Sequence, residues 1–83
     1  MNNDDLGALI RKVFSDLAPE IDIDSVDPNA PLQATLDLDS MDFLNAMIAI
    51  HDATGVDVPE SDYGQVTTLE TIERYVSARI ASA

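Results

Sequence analysis

Leu36-Asp37-Leu38-Asp39-Ser40-Met41-Asp42 is the point where an irregular acidic stretch becomes a helix, and its reading decides the rest of the chain. Asp39 suits the N-cap position, and Asp42 falls in the first turn, where a carboxylate complements the positive end of the helix dipole. Ser40 then stands at the first helical position. A helix start carries backbone N–H groups with no intrahelical acceptor, and such groups favour a phosphate. A first-turn serine is by itself an ordinary feature, so the surrounding sequence has to decide whether this one is functional.

Working outward, Ser40 to Thr54 reads as one helix, with Gly55 as its C-terminal stop. On a helical wheel Phe43, Met47 and Ile50 form the inward stripe, with Ala46 and Leu44 at its margins. Asp42, Asn45, Ala49 and Asp52 form the opposite face, and Met41 and Ile48 fall beside it. Two apolar side chains outside the core stripe and next to Ser40 suit a docking surface. Upstream, Leu6, Leu9, Ile10, Val13, Phe14 and Leu17 repeat at helical spacing, and Pro19 ends that helix at Ala18. From Pro19 to Asp39 the period is lost. The scattered aliphatics Ile21, Ile23, Val26, Leu32, Leu36 and Leu38 predict a long loop pinned across the core. Downstream, Pro59-Glu60-Ser61-Asp62-Tyr63 predicts a short helical turn with Pro59 at its first position. Thr67-Thr68-Leu69-Glu70 reads as a capping box, so the last helix should begin near Thr67, with Leu69, Ile72, Val76 and Ile80 on its buried face. The expected fold is therefore all-α. It is a small four-helix bundle of three main helices and one short one, with a long first loop, in a single domain spanning 1–83.

Sixteen acids against four bases give a formal net charge of -12. The distribution matters more than the total. No Lys or Arg occurs between Val13 and Glu73, where fourteen of the acids lie, and Arg11, Lys12, Arg74 and Arg79 sit in the end segments. Nucleic-acid backbones and anionic membrane surfaces are repelled by such a field, whereas partners with basic patches are steered in. No stretch is long and apolar enough for a membrane span, and the N-terminus has no signal-peptide pattern. A cytoplasmic monomer is the expected setting.

The chain lacks the constellations that enzymes need. There is no cysteine, so any thiol chemistry must come from an added group. His51, the one histidine, lies about three turns beyond Ser40 at ~1.5 Å per residue, too far to serve as its base. No Gly-x-Ser-x-Gly elbow surrounds Ser40. Asp22, Asp24 and Asp27 fail as an EF-hand because their register is wrong and the loop glycine and closing glutamate are missing. Neither catalytic residues nor a metal site are expected. Ser40 is better placed to be presented to another enzyme than to act as a nucleophile here.

LDLDSMDFLN (36–45), GVDVPESDY (55–63) and TTLETIERYV (67–76) together resemble the acyl carrier proteins, over nearly the whole chain. The resemblance implies that Ser40 receives 4′-phosphopantetheine from coenzyme A, through a separate Mg²⁺-dependent phosphopantetheinyl transferase. The arm would supply the thiol that the polypeptide lacks, and acyl groups would travel on it as thioesters. Fatty-acid or related lipid or secondary-metabolite biosynthesis is the implied setting. The partners would be acyl- or aminoacyl-loading and acyl-transferring enzymes with basic patches. Asp39, Met41, Asp42, Asn45, Ile48 and Asp52 would form the recognition surface.

Two departures narrow this. Met41 stands where the family usually has leucine, a volume-conserving change. Asn45 and His51 stand where general fatty-acid carriers have glutamates, which points to a specialised carrier. The Asp-Ser-Met variant also occurs in D-alanyl carriers, so an aminoacyl carrier remains an alternative. An unmodified acidic interaction module is the alternative outside the carriers.

Overall fold

Leu6, Ile10 and Phe14 share one stripe of the first helix, α1 (Asn3–Leu17), and none is more than 1% exposed. The computed structural model describes residues 2–82. Asn2 starts α1 by accepting the Asp5 N–H at 2.8 Å. The helix stops at Leu17, ahead of Pro19, as the sequence predicts. α3 (Ser40–Thr54) buries Phe43, Ala46, Met47 and Ile50, and α4 (Leu69–Ser82) buries Leu69, Ile72 and Val76. Both pack on α1, which forms the spine of the bundle. The Cα radius of gyration is 11.7 Å, against about 12 Å for a compact chain of this length. No strand occurs among the described residues.

The stretch from 19 to 39 is less featureless than expected. It holds a 3-10 turn at Ile23–Ser25 and a single-turn helix, α2 (Leu32–Thr35). Asp22 caps the first by accepting the Asp24 N–H at 3.2 Å and the Ser25 hydroxyl at 3.0 Å. Two long-range bonds then pin the stretch to the start of α4. The Leu32 N–H donates to the Thr67 carbonyl at 2.9 Å, and the Glu70 N–H donates to the Pro28 carbonyl at 3.0 Å. Leu32, Leu36 and Leu38 are buried beneath. The expected pinning of this loop across the core is thus observed, and it comes from backbone bonds as well as aliphatic side chains.

Those bonds also correct the start of α4. The capping box is formed by Thr68 and Thr71, not by Thr67 and Glu70. The Thr71 N–H donates to Thr68 Oγ1 at 3.1 Å, and the Thr68 N–H donates to Thr71 Oγ1 at 3.0 Å. Burial of Leu69 and use of the Thr67 carbonyl by Leu32 fix the helix start one residue later. The short helix spans Glu60–Gln65 as a 3-10 turn, with Pro59 as its N-cap and not its first residue. On α3, Ala46 lies at the centre of the buried stripe (0% exposed) and Leu44 lies outside it (36%).

α2 ends with Asp37 in the left-handed region, φ 54°. The Leu38 N–H there reaches back to the Gln33 carbonyl at 2.9 Å, a Schellman-type closure that turns Leu38 inward just before α3. An L-residue in this region carries a penalty of about 1–2 kcal/mol, which glycine largely escapes. Asp37→Gly is therefore expected to stabilise the fold by about 1 kcal/mol, a rise of roughly 4–8 °C in melting temperature. A fall in melting temperature would show that Asp37 makes a compensating interaction.

Three ion pairs occur among the described residues: Lys12–Asp16, Glu70–Arg74 and Asp62–Arg79. The acids between Glu20 and Glu60 have no cation partner among them. Repulsion between exposed carboxylates is screened by salt, with a Debye length near ~10 Å at 0.1 M. The melting temperature should rise from low to moderate salt. A flat or falling profile would show that acid repulsion does not limit stability.

Candidate functional site

α3 begins with a reciprocal capping box. The Asp42 N–H donates to Asp39 Oδ1 at 2.8 Å, and the Asp39 N–H donates to Asp42 Oδ2 at 3.4 Å. The Phe43 N–H takes the Asp39 carbonyl at 3.1 Å as the first helical bond. Among the described residues, the N–H groups of Ser40 and Met41 have no backbone or side-chain acceptor. Ser40 is exposed, so its hydroxyl and these two donors share one open helix end. Gly55, φ 76°, closes α3 at the other end, where its N–H meets the His51 carbonyl at 2.7 Å.

Beside Ser40 runs a groove of about 310 Å³ between α2, the start of α3 and the Glu60–Gln65 turn. Met41, Phe43 and Leu44 supply its apolar wall, and Gln33, Glu60 and Tyr63 its more polar side. Beneath it the core is filled by aromatic rings. Phe43 packs on Phe14, with centroids 6.4 Å apart, and takes the Tyr63 ring edge-on at 5.5 Å and 73°. Such tilted and edge-to-face pairs add about 0.5–1.5 kcal/mol beyond area burial.

The turn carrying Tyr63 is fastened to α4. The Tyr75 hydroxyl donates to Asp62 Oδ2 at 2.6 Å, Arg79 Nη2 donates to the Tyr75 oxygen at 2.7 Å, and Arg79 lies 3.5 Å from Asp62. The guanidinium carbon also sits 4.2 Å from the Tyr75 ring centroid, a cation–π contact. The hydrogen bond to Asp62 holds the Tyr75 phenol above its ordinary range, with burial adding to this and Arg79 opposing it. The bond to Tyr75 in turn raises Arg79. The clasp is thus a neutral phenol bridging a carboxylate and a guanidinium.

The sequence-derived recognition residues all lie on α3 or its cap. Met41 (63%) and Ile48 (49%) are exposed as expected, and Leu44 joins them. Asp39, Asn45, His51 and Asp52 are exposed, and Asp42 is half-buried. Asp39 and Asp42 are spent on the capping box, which leaves Asn45, His51 and Asp52 as the polar groups of that surface. Gln33, Glu60 and Tyr63 escaped the sequence reading, because nothing in a local pattern says that two turns on opposite sides of Ser40 face each other. Among the described residues no group of three or more His, Asp or Glu converges as a metal cage. None of their helices is long and apolar enough to cross a membrane.

The exposed hydroxyl, the two free N–H donors and the adjoining groove fit a phosphate-linked arm better than a catalytic centre. Residues 8–76 match the family described as "Phosphopantetheine attachment site". The chain is also similar to an acyl carrier protein of Rubrobacter xylanophilus, 26% identical over 70 residues that cover 82% of this chain and 86% of that protein. The match over 8–76 spans most of the chain and takes in all of α3 with its cap, so the chain belongs to the phosphopantetheine attachment family, non-catalytic carrier proteins whose cofactor is 4′-phosphopantetheine.

Proposed function

We propose that the 83 residues form one acyl-carrier domain in which Ser40 is the attachment point of the arm. The observation that carries this reading is the exposed Ser40 hydroxyl at the start of a fifteen-residue helix, beside two unoccupied N–H donors and the groove. A phosphopantetheinyl transferase would join the Ser40 oxygen to the phosphopantetheine phosphorus of coenzyme A, with adenosine 3′,5′-bisphosphate leaving. The Ser40 and Met41 N–H groups would face the resulting phosphodiester. The arm supplies the thiol on which acyl groups are held, for fatty-acid or related lipid or secondary-metabolite synthesis. Asn45 and His51 in place of acids support a specialised carrier, acting as a cytoplasmic monomer.

Incubation with coenzyme A, Mg²⁺ and a broad-specificity transferase should shift the intact mass by one arm. Ser40→Ala should stay at the polypeptide mass while keeping its stability within about 0.5 kcal/mol of wild type, because Asp39 retains the cap. Modification of the mutant at Ser15, Ser25 or Ser61 would refute Ser40. A wild type that takes no arm would favour an acidic interaction module instead.

A further inference from the structure

The groove beside Ser40 does not continue freely. A second cavity of about 130 Å³ lies beyond it, lined by Met47, Ile48, His51, Asp57 and Val58. Leu44 and Tyr63 line both cavities, so these two side chains separate them. Leu44 is one-third exposed on the outer side of α3, whereas Tyr63 is wedged edge-on against Phe43. Among the core side chains of the bundle, Phe14, Phe43 and Ile50 are buried. Tyr63 is also held from behind. Its neighbour Asp62 is gripped by Tyr75 and Arg79 of α4, which fixes the turn that bears the ring.

From this geometry we infer that Tyr63 is a specificity-determining partition that limits the length of acyl group the carrier can shelter. The inference rests on Ser40 being the point of attachment. A short acyl chain, tethered at Ser40, lies along Met41, Phe43 and Leu44 in the near groove. A longer chain meets the clamped Tyr63 ring and must leave its distal methylenes in water. The Asp62–Tyr75–Arg79 clasp acts on cargo only through Tyr63, as a positioning device. The further cavity approaches the ~150 Å³ of a void that accepts benzene, so removing the partition would add room for a short run of methylenes.

The test loads the full chain with butyryl and octanoyl arms, using the transferase and the corresponding acyl-coenzyme A. Cleavage of each thioester by hydroxylamine is then compared with that of the free acyl-coenzyme A. In wild type, octanoyl should be protected no more than butyryl, within about twofold. In Tyr63→Ala, octanoyl alone should gain protection. Each methylene taken out of water changes the sheltered-to-exposed ratio by about fourfold, so two should slow cleavage by about fifteenfold. Asp62→Asn, which loosens the clasp, should fall between the two. Octanoyl protection in wild type well above butyryl, or no change in Tyr63→Ala, overturns the partition. Should Tyr63→Ala fail to fold, Tyr63→Leu keeps an apolar contact with Phe43 and decides the same question. Absence of any loaded arm, seen by mass before cleavage begins, refutes Ser40 and not Tyr63.

Discussion

Phe43→Ala is expected to remove about 3–5 kcal/mol of stability, the usual cost of truncating a buried phenylalanine. Phe43 is 4% exposed and meets both Phe14 and Tyr63, so its loss opens the centre of the bundle and the wall of the groove at once. An 83-residue domain has a net stability of roughly 4–12 kcal/mol at ~0.05–0.15 kcal/mol per residue, so the variant should be close to unfolding. At about 4–8 °C per kcal/mol, the melting temperature should drop by at least ~12 °C. Leu44→Ala, one position along and 36% exposed, should cost less than about 1 kcal/mol. Thermal unfolding of the two variants side by side checks the account. Similar losses in both would mean that the groove floor is not part of the core.

The contrast between Phe43 and Leu44 was only half legible in the sequence. Helical spacing separates Phe43, Met47 and Ile50 from Met41 and Ile48 because 3.6 residues per turn fixes their angles. A side chain at the edge of the stripe, such as Leu44 or Ala46, is settled by what packs against that edge. Ala46 ends up fully buried in the core, and the open groove leaves Leu44 partly in solvent. Caps showed the same division. Asp39 and Gly55 stand alone at the ends of α3 and are unambiguous. Thr67 and Thr68 are adjacent, each with a suitable partner three residues on, and the choice falls to a bond from Leu32, thirty-five positions away. The clasp was invisible for the same reason, since Asp62 and Tyr75 sit on different elements thirteen residues apart. The place of Ser40 at the start of α3 could be read from its local neighbours. The groove could not, because α2 is a single turn with no side-chain cap and is held in place by that same long-range bond.

Replacing Met41, Leu44 and Ile48 together with alanine should weaken handling by every acyl-transferring partner while leaving the fold nearly unchanged. The three are 63%, 36% and 49% exposed and lie on the outer side of α3, on the element that starts at Ser40. Core energy is not at stake for them, so each truncation should alter stability by less than about 1 kcal/mol. Apolar anchors that become fully buried in a complex commonly carry 2 kcal/mol or more, so loss of the set should lower kcat/KM for a partner by about thirtyfold or more. Charge acts differently on the same surface. Exposed charges set encounter rate and partner choice, and their effect fades with salt. Asn45→Glu with His51→Glu should therefore raise transfer by a general fatty-acid synthase, more at low salt than at high salt, without touching the anchors. A reconstituted elongation assay separates the two contributions, because the alanine variant should fail at every salt concentration. Wild-type turnover equal to that of the organism's main carrier would rule out specialisation, since Asn45 and His51 would then have no consequence for partner choice. Unimpaired transfer by the triple variant would place the docking surface elsewhere than on this side of α3.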